Sequence, residues 1–441
     1  MDQDNNGSPQ QPPKKPPDIQ LVARLNAQQS NPREEARRVF FSSAQWTADG
    51  TTVVIQSSEN AVSSVVLPAD ILDSADGEIQ LEPENTTRLP EPTQAVAIAP
   101  YFSLAEPLTQ SYLVGCRDHP LHLYHAFPSQ SNPAPLATYK LVRAETEQFI
   151  TPASLLWSYP GSHFLCGSAN RLDYFDVSQP GSEGPILTVP TIPSRRHVSK
   201  GGGVGMKGTV AALAASPVDS CQGSIIAAGT RSRWMGLYDL QRSKDPVANW
   251  SVATAGADLN LNLTGQGIVQ VLWTCCGRYL VVNERKSNHL LVYDIRGTGK
   301  LLSALCGREA TTQQRLTCDT YHGQGETGSE IWAGTQNGSV VVWEGVGTRV
   351  GVMEPSWSWA AHRSPVGSTA LHGCGSVVAT CSGAWEHASD GMLEDFGMGR
   401  RVLDGGTRAQ GSSLKVWSMD AQADASATSS CLTGCEGISG T

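Results

Sequence analysis

The chain has 441 residues, of which 32 are Lys or Arg and 41 are Asp or Glu, so its formal net charge is −9. This acidic sum disfavours indiscriminate binding to nucleic acid, and no apolar run reaches the length of about 18 residues that a membrane span needs. The polar N-terminus lacks the pattern of a signal peptide. We therefore expect a protein of the cytosol or nucleus with no membrane partner.

The 11 cysteines are scattered along the chain, and several fall in apolar segments, where a free cysteine packs as a small hydrophobic residue. The closest sets are Cys275 with Cys276 and Cys431 with Cys435. Neither set has a second pair or a histidine at zinc-finger spacing. We therefore expect reduced thiols, no metal site and no cofactor.

A repeated segment that ends in an aromatic residue organises the sequence. It is clearest as GSVVVWEG (338–345) and recurs with drift as HPLHLYHA (119–126), NRLDYFDV (170–177), SRWMGLYDL (232–240), NHLLVYDI (288–295), SLKVWSM (413–419) and, faded, NAVSSVVLP (60–68). The aromatic residues Tyr124, Phe175, Tyr238, Tyr293, Trp343 and Trp417 lie 51, 63, 55, 50 and 74 residues apart. An all-β unit of about 40–50 residues is typical of a WD-type propeller blade. The seven copies predict an all-β, seven-bladed WD-repeat propeller over residues 19–420.

The chain begins with a Pro/Gln/Asn-rich stretch, residues 1–18, which we expect to be disordered. Residues 19–25 alternate like a strand. Because a ring of blades has to close, we expect this strand to complete the sheet of the last blade. The alternative is a short helix that leads into residues 33–38.

The blades follow as short apolar segments separated by turns. The segments are VFFSSAQW, TTVVIQS and AVSSVVLP for blade one; AVAIAP, SYLVGC, PLHLYHA and LATYKLV for blade two; ASLLWS, SHFLCG, RLDYFDV and ILTVP for blade three; TVAALAAS, SIIAAG and RWMGLYDL for blade four; IVQVLW, RYLVVN and HLLVYDI for blade five; LLSALCG and the strands up to Trp343 for blade six; and GSTALHG, SVVATCS and SLKVW for blade seven. Asn337-Gly338 predicts a tight turn with positive φ at its centre. Residues 73–91, 191–208 and 383–411 are predicted as loops, the first of them mobile, and residues 421–441 as a disordered tail.

Signatures of catalysis are weak. Gly203, Gly205 and Gly208 have the spacing of a dinucleotide-binding fingerprint, but that fingerprint needs a strand before it and a helix after it. Here a basic loop precedes it and a predicted strand follows. Neither an HExxH pair nor a Gly-x-Ser-x-Gly elbow occurs. We expect a protein that is not an enzyme and has no small-molecule substrate.

Charge is distributed unevenly over the predicted ring. Loops between the second and third strands of a blade, and loops between blades, emerge at one end, here called the upper rim; the other loops form the lower rim. The upper rim collects 13 cations: Arg117, Arg143, Arg171, Arg195, Arg196, Lys200, Lys207, Arg231, Arg233, Arg285, Lys286, Arg308 and Arg315. Arginine suits contact with phosphates and base edges. The residues alone support RNA binding and a protein-binding scaffold about equally.

Four segments resemble the telomerase Cajal body protein family: CRDHPLHLYHAF (116–127), GREATTQQR (307–315), WTADG with SSENAVSSVVLP (46–68) and GTRSRWMGLYDL (229–240). The resemblance runs over about residues 40–420. It implies a nuclear propeller without enzymatic activity that recognises a single-stranded box in small Cajal-body or telomerase RNA and helps to localise the particle, alongside ribonucleoprotein core proteins. The composition suggests a fungal-type member. Such relatives are also linked to spliceosomal small nuclear RNA, so a scaffold in early pre-mRNA splicing remains the alternative.

The resulting hypothesis places an unpaired RNA loop across the upper rim between blades two and six. The predicted contacts are phosphate or purine edges for Arg117, Arg308 and Arg315; base edges for His122 and Gln314; the flanking stem for Arg231, Arg233, Arg195, Arg196, Lys200 and Lys207; and a supporting role for Asp118 and Glu309, which orient the neighbouring arginines. Replacing Arg308 and Arg315 together with Glu is expected to abolish binding and to leave the melting temperature nearly unchanged.

Overall fold

The structure is a computed structural model that describes residues 17–27, 39–72, 77–129, 133–181, 183–192, 205–217, 225–322, 328–384 and 412–419. The predicted tails, except residues 17 and 18, and most of the predicted loops 191–208 and 383–411 lie outside these ranges. Within them, 30 strands form seven sheets. Three short 3-10 helices accompany the strands at Pro107–Thr109, Val252–Leu259 and Ile295–Gly297. The predicted seven-bladed propeller is confirmed.

Blades one to four each contain four antiparallel strands, numbered here along the chain. Blade one is β2 (Phe41–Trp46), β3 (Thr52–Ser57), β4 (Ala61–Val66) and β6 (Asn85–Arg88). Blade two is β7 (Thr93–Ile98), β8 (Ser111–Cys116), β9 (Leu121–His125) and β10 (Ala137–Tyr139). Blade three is β11 (Ser154–Trp157), β12 (His163–Ser168), β13 (Arg171–Asp176) and β14 (Leu187–Pro190). Blade four is β15 (Val210–Ala215), β16 (Ile226–Thr230), β17 (Trp234–Tyr238) and β18 (Pro246–Ser251).

Two of the remaining blades carry a fifth strand. Blade five is β19 (Ile268–Trp273), β20 (Tyr279–Glu284), β21 (Leu290–Asp294), β22 (Leu301–Leu305) and β26 (Gly351–Met353). Blade six is β23 (Cys318–His322), β24 (Ser329–Gly334), β25 (Ser339–Val346) and β27 (Trp357–Ala360). Blade seven is β28 (Val366–Leu371), β29 (Val377–Ser382), β30 (Ser413–Met419), β1 (Ile19–Asn26) and β5 (Ile79–Gln80).

The last blade is assembled from both ends of the chain. Strand β1 pairs antiparallel with β30 from Ile19 opposite Met419 to Asn26 opposite Ser413. Strand β5 then pairs in parallel with β1. The N-terminal strand thus occupies the position that a closing strand requires, and it covers the edge that β30 would otherwise expose.

The repeated aromatic residues lie in the third strands of blades two to seven. All six are at most 8% exposed: Tyr124, Phe175, Tyr238, Tyr293, Trp343 and Trp417. Several pack against aromatic rings of neighbouring strands, as Phe175 does on Phe164 with ring centroids 4.9 Å apart. The repeat therefore records a position at which blades two to seven each bury an aromatic side chain.

Two predictions about outer strands were wrong. Leu301–Leu305, predicted to open blade six, is the fourth strand of blade five and pairs with β21. Strand β26 pairs with it in parallel on its other side, which explains why an outer strand is so apolar. Residues 73–91, predicted as a mobile loop, contain strands β5 and β6. All four residues of β6 are polar, so its sequence lacks the alternation of apolar and polar residues that identifies an inner strand.

The turn between β24 and β25 agrees with its prediction at Gly338, whose φ is +92°. A side chain there would meet the carbonyl oxygen of His362 at 2.2 Å. Glycine is therefore required both by the backbone conformation and by the close approach of the next blade's entry loop.

Candidate nucleic-acid interface

The first strand of each of the seven blades lines a central channel with a volume of 1280 Å³. Most of its lining side chains are small, apolar or neutral, and Asp319 is the one carboxylate among the described lining residues. At the upper mouth the lining includes Thr312, Gln313 and Gln314 together with two arginines, Arg285 and Arg315. The channel is therefore nearly neutral along its wall and positive at its upper end.

Three arginines from adjacent blades meet at this mouth, and we call Arg231, Arg285 and Arg315 the arginine triad. Arg231 lies in the turn after β16, Arg285 directly follows β20, and Arg315 lies in the loop that enters β23. Gly267 links the first two, because its oxygen accepts a 2.9 Å hydrogen bond from the Arg285 amide and a side chain there would meet the Arg231 carbonyl oxygen at 2.3 Å.

The triad has no carboxylate partner among the described residues. Burial, followed by the charge of Arg231, lowers the pKa of Arg285. Enclosure by the channel wall, and then the charges of Arg285 and Arg231, lower the pKa of Arg315 to about 10. Because arginine is in general protonated at neutral pH, the mouth holds three mutually repelling positive charges.

Other predicted rim arginines are neutralised within the fold. Arg233 donates to Glu284 through Nε (2.7 Å) and Nη2 (2.9 Å), and this carboxylate is only 2% exposed. Arg171 forms a comparable two-point contact with the fully buried Asp173. The first pair connects blade four to blade five, the second lies within β13, and both neutralise the arginine locally. The prediction that Arg233 holds an RNA stem is therefore not supported by its position.

Arg308 departs most clearly from its predicted role, since its side chain is buried and only 1% exposed. Its guanidinium donates to Gly334 O (2.9 Å), Asn283 Oδ1 (2.9 Å) and Leu316 O (3.1 Å). These bonds tie blade five to blade six and fix the loop that carries Arg315. We therefore correct its assignment from an RNA contact to a structural residue.

The remaining predicted contacts are dispersed. Arg117 is exposed in the turn of blade two, with Nε 3.3 Å from Asp118, so Asp118 does accompany an arginine. Glu309 instead accepts a 3.1 Å hydrogen bond from Asn337 and does not orient an arginine as predicted. Gln314 donates to Gly383 O at 2.7 Å. His122 is half-buried on β9, where burial lowers its pKa.

The basic loop after blade three is described only in part. Arg195, Arg196 and Lys200 lie outside the described residues. Lys207 is described, and its backbone oxygen accepts a hydrogen bond from Ser232, the residue that follows Arg231. The end of the loop is therefore anchored beside the arginine triad.

Two titratable side chains that were not predicted stand out elsewhere. Burial raises the pKa of Asp319 to about 6, although its carboxylate accepts 2.8 Å hydrogen bonds from the amides of Leu371 and Thr320. In blade seven, the indole of Trp417 donates to Thr380, whose hydroxyl contacts His362 Nε2, each at 2.8 Å. Burial lowers the pKa of His362 to about 3, so this imidazole is neutral in the folded protein.

No group of three or more His, Cys, Asp and Glu side chains in the described ranges could hold a metal ion. None of the helices in that part of the chain is long and apolar enough to cross a membrane.

The fold and this mouth define a class: a seven-bladed propeller of the WD type with positive charge concentrated at one end of its channel. No family model matches the chain. The chain is 26% identical over 352 residues to telomerase Cajal body protein 1 of Bos taurus, a match that covers 78% of this chain and 58% of that protein.

Two fungal proteins are similar to a comparable degree. Guanine nucleotide-binding protein negative regulator 1 of Schizosaccharomyces pombe is 24% identical over 307 residues, which cover 69% of this chain and 70% of that protein. Protein SWT21 of Vanderwaltozyma polyspora is 24% identical over 308 residues, which cover 68% of this chain and 66% of that protein. The resemblance to telomerase Cajal body proteins is thus confirmed, and the chain spans less than three fifths of the bovine protein's length.

Proposed function

We propose that this protein is a non-catalytic RNA-binding propeller of the nucleus, which binds a small nuclear, Cajal-body or telomerase RNA and helps to localise or assemble the ribonucleoprotein. The observation that carries the proposal is the unneutralised arginine triad at the upper mouth of a protein whose net charge is −9. A polyanion is the ligand class that such a mouth favours. The similarity to proteins named for telomerase and the Cajal body supports RNA as that polyanion.

The proposed contact surface differs from the one that the sequence suggested. It centres on blades four to six, with Arg231 and Arg315 as phosphate or base-edge contacts and Lys207 beside them. Arg117 extends the positive surface on blade two. Single-stranded RNA fits this arrangement, because its backbone can follow a curved rim and its bases can stack on planar guanidinium groups.

Ribonucleoprotein core proteins are proposed as further partners, at the lower rim. There the loops of blades two and three touch, because Gly161 lies against the ring of Tyr101, and they expose Leu108, which is 98% exposed, and Tyr159, which is 68% exposed. Exposed apolar patches of this kind favour protein contacts. This observation also favours the second candidate function, a protein-binding scaffold in early pre-mRNA splicing.

The two functions are separated by binding measurements on purified protein. Fluorescence anisotropy with a labelled stem-loop RNA that has an unpaired loop should give saturable binding. The apparent affinity should fall with salt at a logarithmic slope of about 0.7 per phosphate contact. The double variant Arg231→Gln with Arg315→Gln should weaken binding by at least about tenfold and reduce the slope, because it removes two such contacts.

The matched control is Arg349→Gln, which removes an exposed arginine that follows β25 on the lower rim. It should bind RNA like the wild type. Equal losses in both variants would mean that only net charge matters. Absence of RNA binding, together with partners that survive nuclease treatment of cell extracts, would instead favour the scaffold. If the purified protein does bind RNA, crosslinking in cells followed by sequencing of the attached RNA would identify that RNA.

A further inference from the structure

The arginine triad is built as a site for a discrete anion rather than as a smooth positive surface. Arg285 and Arg315 both line the upper mouth of the channel, and Arg231 stands beside Arg285 across Gly267. The three side chains come from the adjacent blades four, five and six, so they concentrate positive charge on one side of the mouth.

The nearest candidate counter-charge is already engaged. Glu284 immediately precedes Arg285, but both of its carboxylate oxygens accept from Arg233, at 2.7 and 2.9 Å. Asp319, the carboxylate on the described channel wall, accepts from two backbone amides. The triad therefore gathers three positive charges without an internal anion, an arrangement that costs free energy until an external anion binds.

Arg285 adds a second, independent observation. Its Nε atom is buried and has no hydrogen-bond partner among the described residues. A buried donor without a partner is costly, so the side chain of Arg285 has an unmet hydrogen-bonding requirement beside the mouth that it lines. Arg308, in the same region, has Nε, Nη1 and Nη2 bonded, so burial in this part of the fold does not by itself leave an arginine donor unpaired.

We propose that the arginine triad binds a phosphate anion that carries at least two negative charges, either a phosphomonoester or a pyrophosphate, at the upper mouth of the channel. Guanidinium groups pair with phosphate oxygens in a planar, two-point geometry, and a tetrahedral phosphate offers oxygens to cations on three sides. The channel volume of 1280 Å³ leaves room for the remainder of a ligand. This inference shares the upper rim with the proposed function but does not depend on RNA binding.

The test uses inorganic phosphate and pyrophosphate as probes at constant ionic strength, with chloride as the reference salt. Isothermal titration calorimetry of the full chain should show saturable 1:1 binding of pyrophosphate, and the melting temperature should rise with pyrophosphate more than with chloride. Arg285→Gln and Arg315→Gln should each weaken pyrophosphate binding by about tenfold or more, the loss expected for one charge-assisted hydrogen bond. Arg349→Gln should bind like the wild type.

The melting temperature without ligand separates a binding site from a structural role. Each of the two triad variants should melt at the wild-type temperature or above it, because removing one charge relieves the repulsion. Weaker pyrophosphate binding with a lowered melting temperature would overturn the proposal, as would non-saturable binding to the wild type or an equal loss in Arg349→Gln.

The origin of the phosphate is read from competition. Displacement of pyrophosphate only by a stem-loop RNA that ends in a phosphomonoester would show that the triad holds the terminal phosphate of that RNA, whereas equal displacement by the same RNA without the terminal phosphate would show binding of a singly charged phosphodiester and overturn the requirement for two charges. Simultaneous binding would show that it holds a free phosphorylated molecule. If pyrophosphate binds and the RNA does not, the proposed function fails while the triad site stands. If the RNA binds and pyrophosphate does not, the triad site fails alone.

Discussion

Arg308 and Arg315 lie seven residues apart in one loop, yet the structure gives them opposite roles, and substitution should separate them. Arg308→Met keeps a long apolar stem in the buried site and removes the three hydrogen bonds to Gly334, Asn283 and Leu316. Arg315→Met removes a charge that faces the channel and has no partner among the described residues.

The loss of stability in Arg308→Met follows from the hydrogen-bond acceptors that are left without a donor. Leu316 O keeps a 2.8 Å hydrogen bond from Asn283 Nδ2. Two acceptors then remain without this donor, and each buried unsatisfied group costs about 1–3 kcal/mol. Removing a buried charge offsets part of this cost, since the guanidinium had no carboxylate partner. We expect the free energy of unfolding to fall by about 2–4 kcal/mol, equivalent to about 2–4 °C in melting temperature at roughly 2.1 cal/mol/K per residue for a chain of this length.

The assay is thermal unfolding followed by intrinsic fluorescence, for which the chain offers 11 tryptophans, together with urea titration. Arg315→Met should change the melting temperature by less than about 1 °C or raise it, since a surface substitution stays within about 0.5 kcal/mol and repulsion within the triad is relieved. RNA affinity should fall in Arg315→Met. If Arg308→Met kept the wild-type melting temperature and lost RNA binding, the structural assignment of Arg308 would be refuted.

Three further predictions concern stability. Because the pKa of His362 is depressed, the stability that its neutral imidazole contributes is present above pH 6.5 and is lost as pH falls toward 3. The free energy of unfolding of the wild type should fall by about 2–3 kcal/mol between pH 7 and pH 4.5, and that of His362→Gln should lack this decrease, as measured by urea titration at each pH. The raised pKa of Asp319 has the opposite effect, so stability is lost as pH rises from about 4 through 6. The melting temperature of Asp319→Asn minus that of the wild type should therefore be larger at pH 7.5 than at pH 4.5. The same difference at both pH values would contradict this assignment. Deleting residues 1–26 removes the strand paired with β30 and should cause aggregation on heating at low micromolar concentration, whereas deleting residues 1–15 should leave unfolding unchanged, as judged by light scattering.

The fold could be predicted because each blade repeats one strong physical requirement. A large aromatic residue near the end of the third strand fills the space between blades, as Trp343, fully buried, does with its indole bonded to Cys306 O at 3.0 Å. Such a side chain leaves a mark in the sequence at six of the seven repeats. The outer strands carry no comparable requirement: all four residues of β6 are polar, and Thr87 alone among them is buried. Their pairing depends on tertiary neighbours, which explains the errors at Leu301–Leu305 and at residues 73–91.

For the candidate site, the sequence predicted at which rim each arginine lies but not which arginines are free to contact a ligand. Loop order along the chain decides at which end an arginine emerges, so Arg231, Arg285 and Arg315 were all assigned to the upper rim. Whether an arginine faces solvent depends on residues far away in sequence: Arg233 meets Glu284 across 51 positions. Arg285 was counted among the rim cations but not among the predicted contacts, because nothing local marks its unpaired Nε. The histidine of the His362–Thr380–Trp417 chain was likewise missed, since its partners are 18 and 55 residues away.

The acidic residues of the repeat explain how an acidic protein can keep a positive mouth. Asp239 and Asp294 directly follow the aromatic residues Tyr238 and Tyr293, so they emerge at the lower rim, where third strands end. There they neutralise local arginines: Asp294 lies 3.1 Å from Arg278 and 2.8 Å from Arg296, and Asp239 lies 3.2 Å from Arg242. The same repeat places no carboxylate beside the triad at the other end. Net charge is an average over the two rims, whereas a ligand at the channel mouth is separated from most of the acids by more than the Debye length of about 8 Å at physiological salt. The local pairing at each rim, rather than the sum over the chain, therefore decides which ligand the propeller attracts.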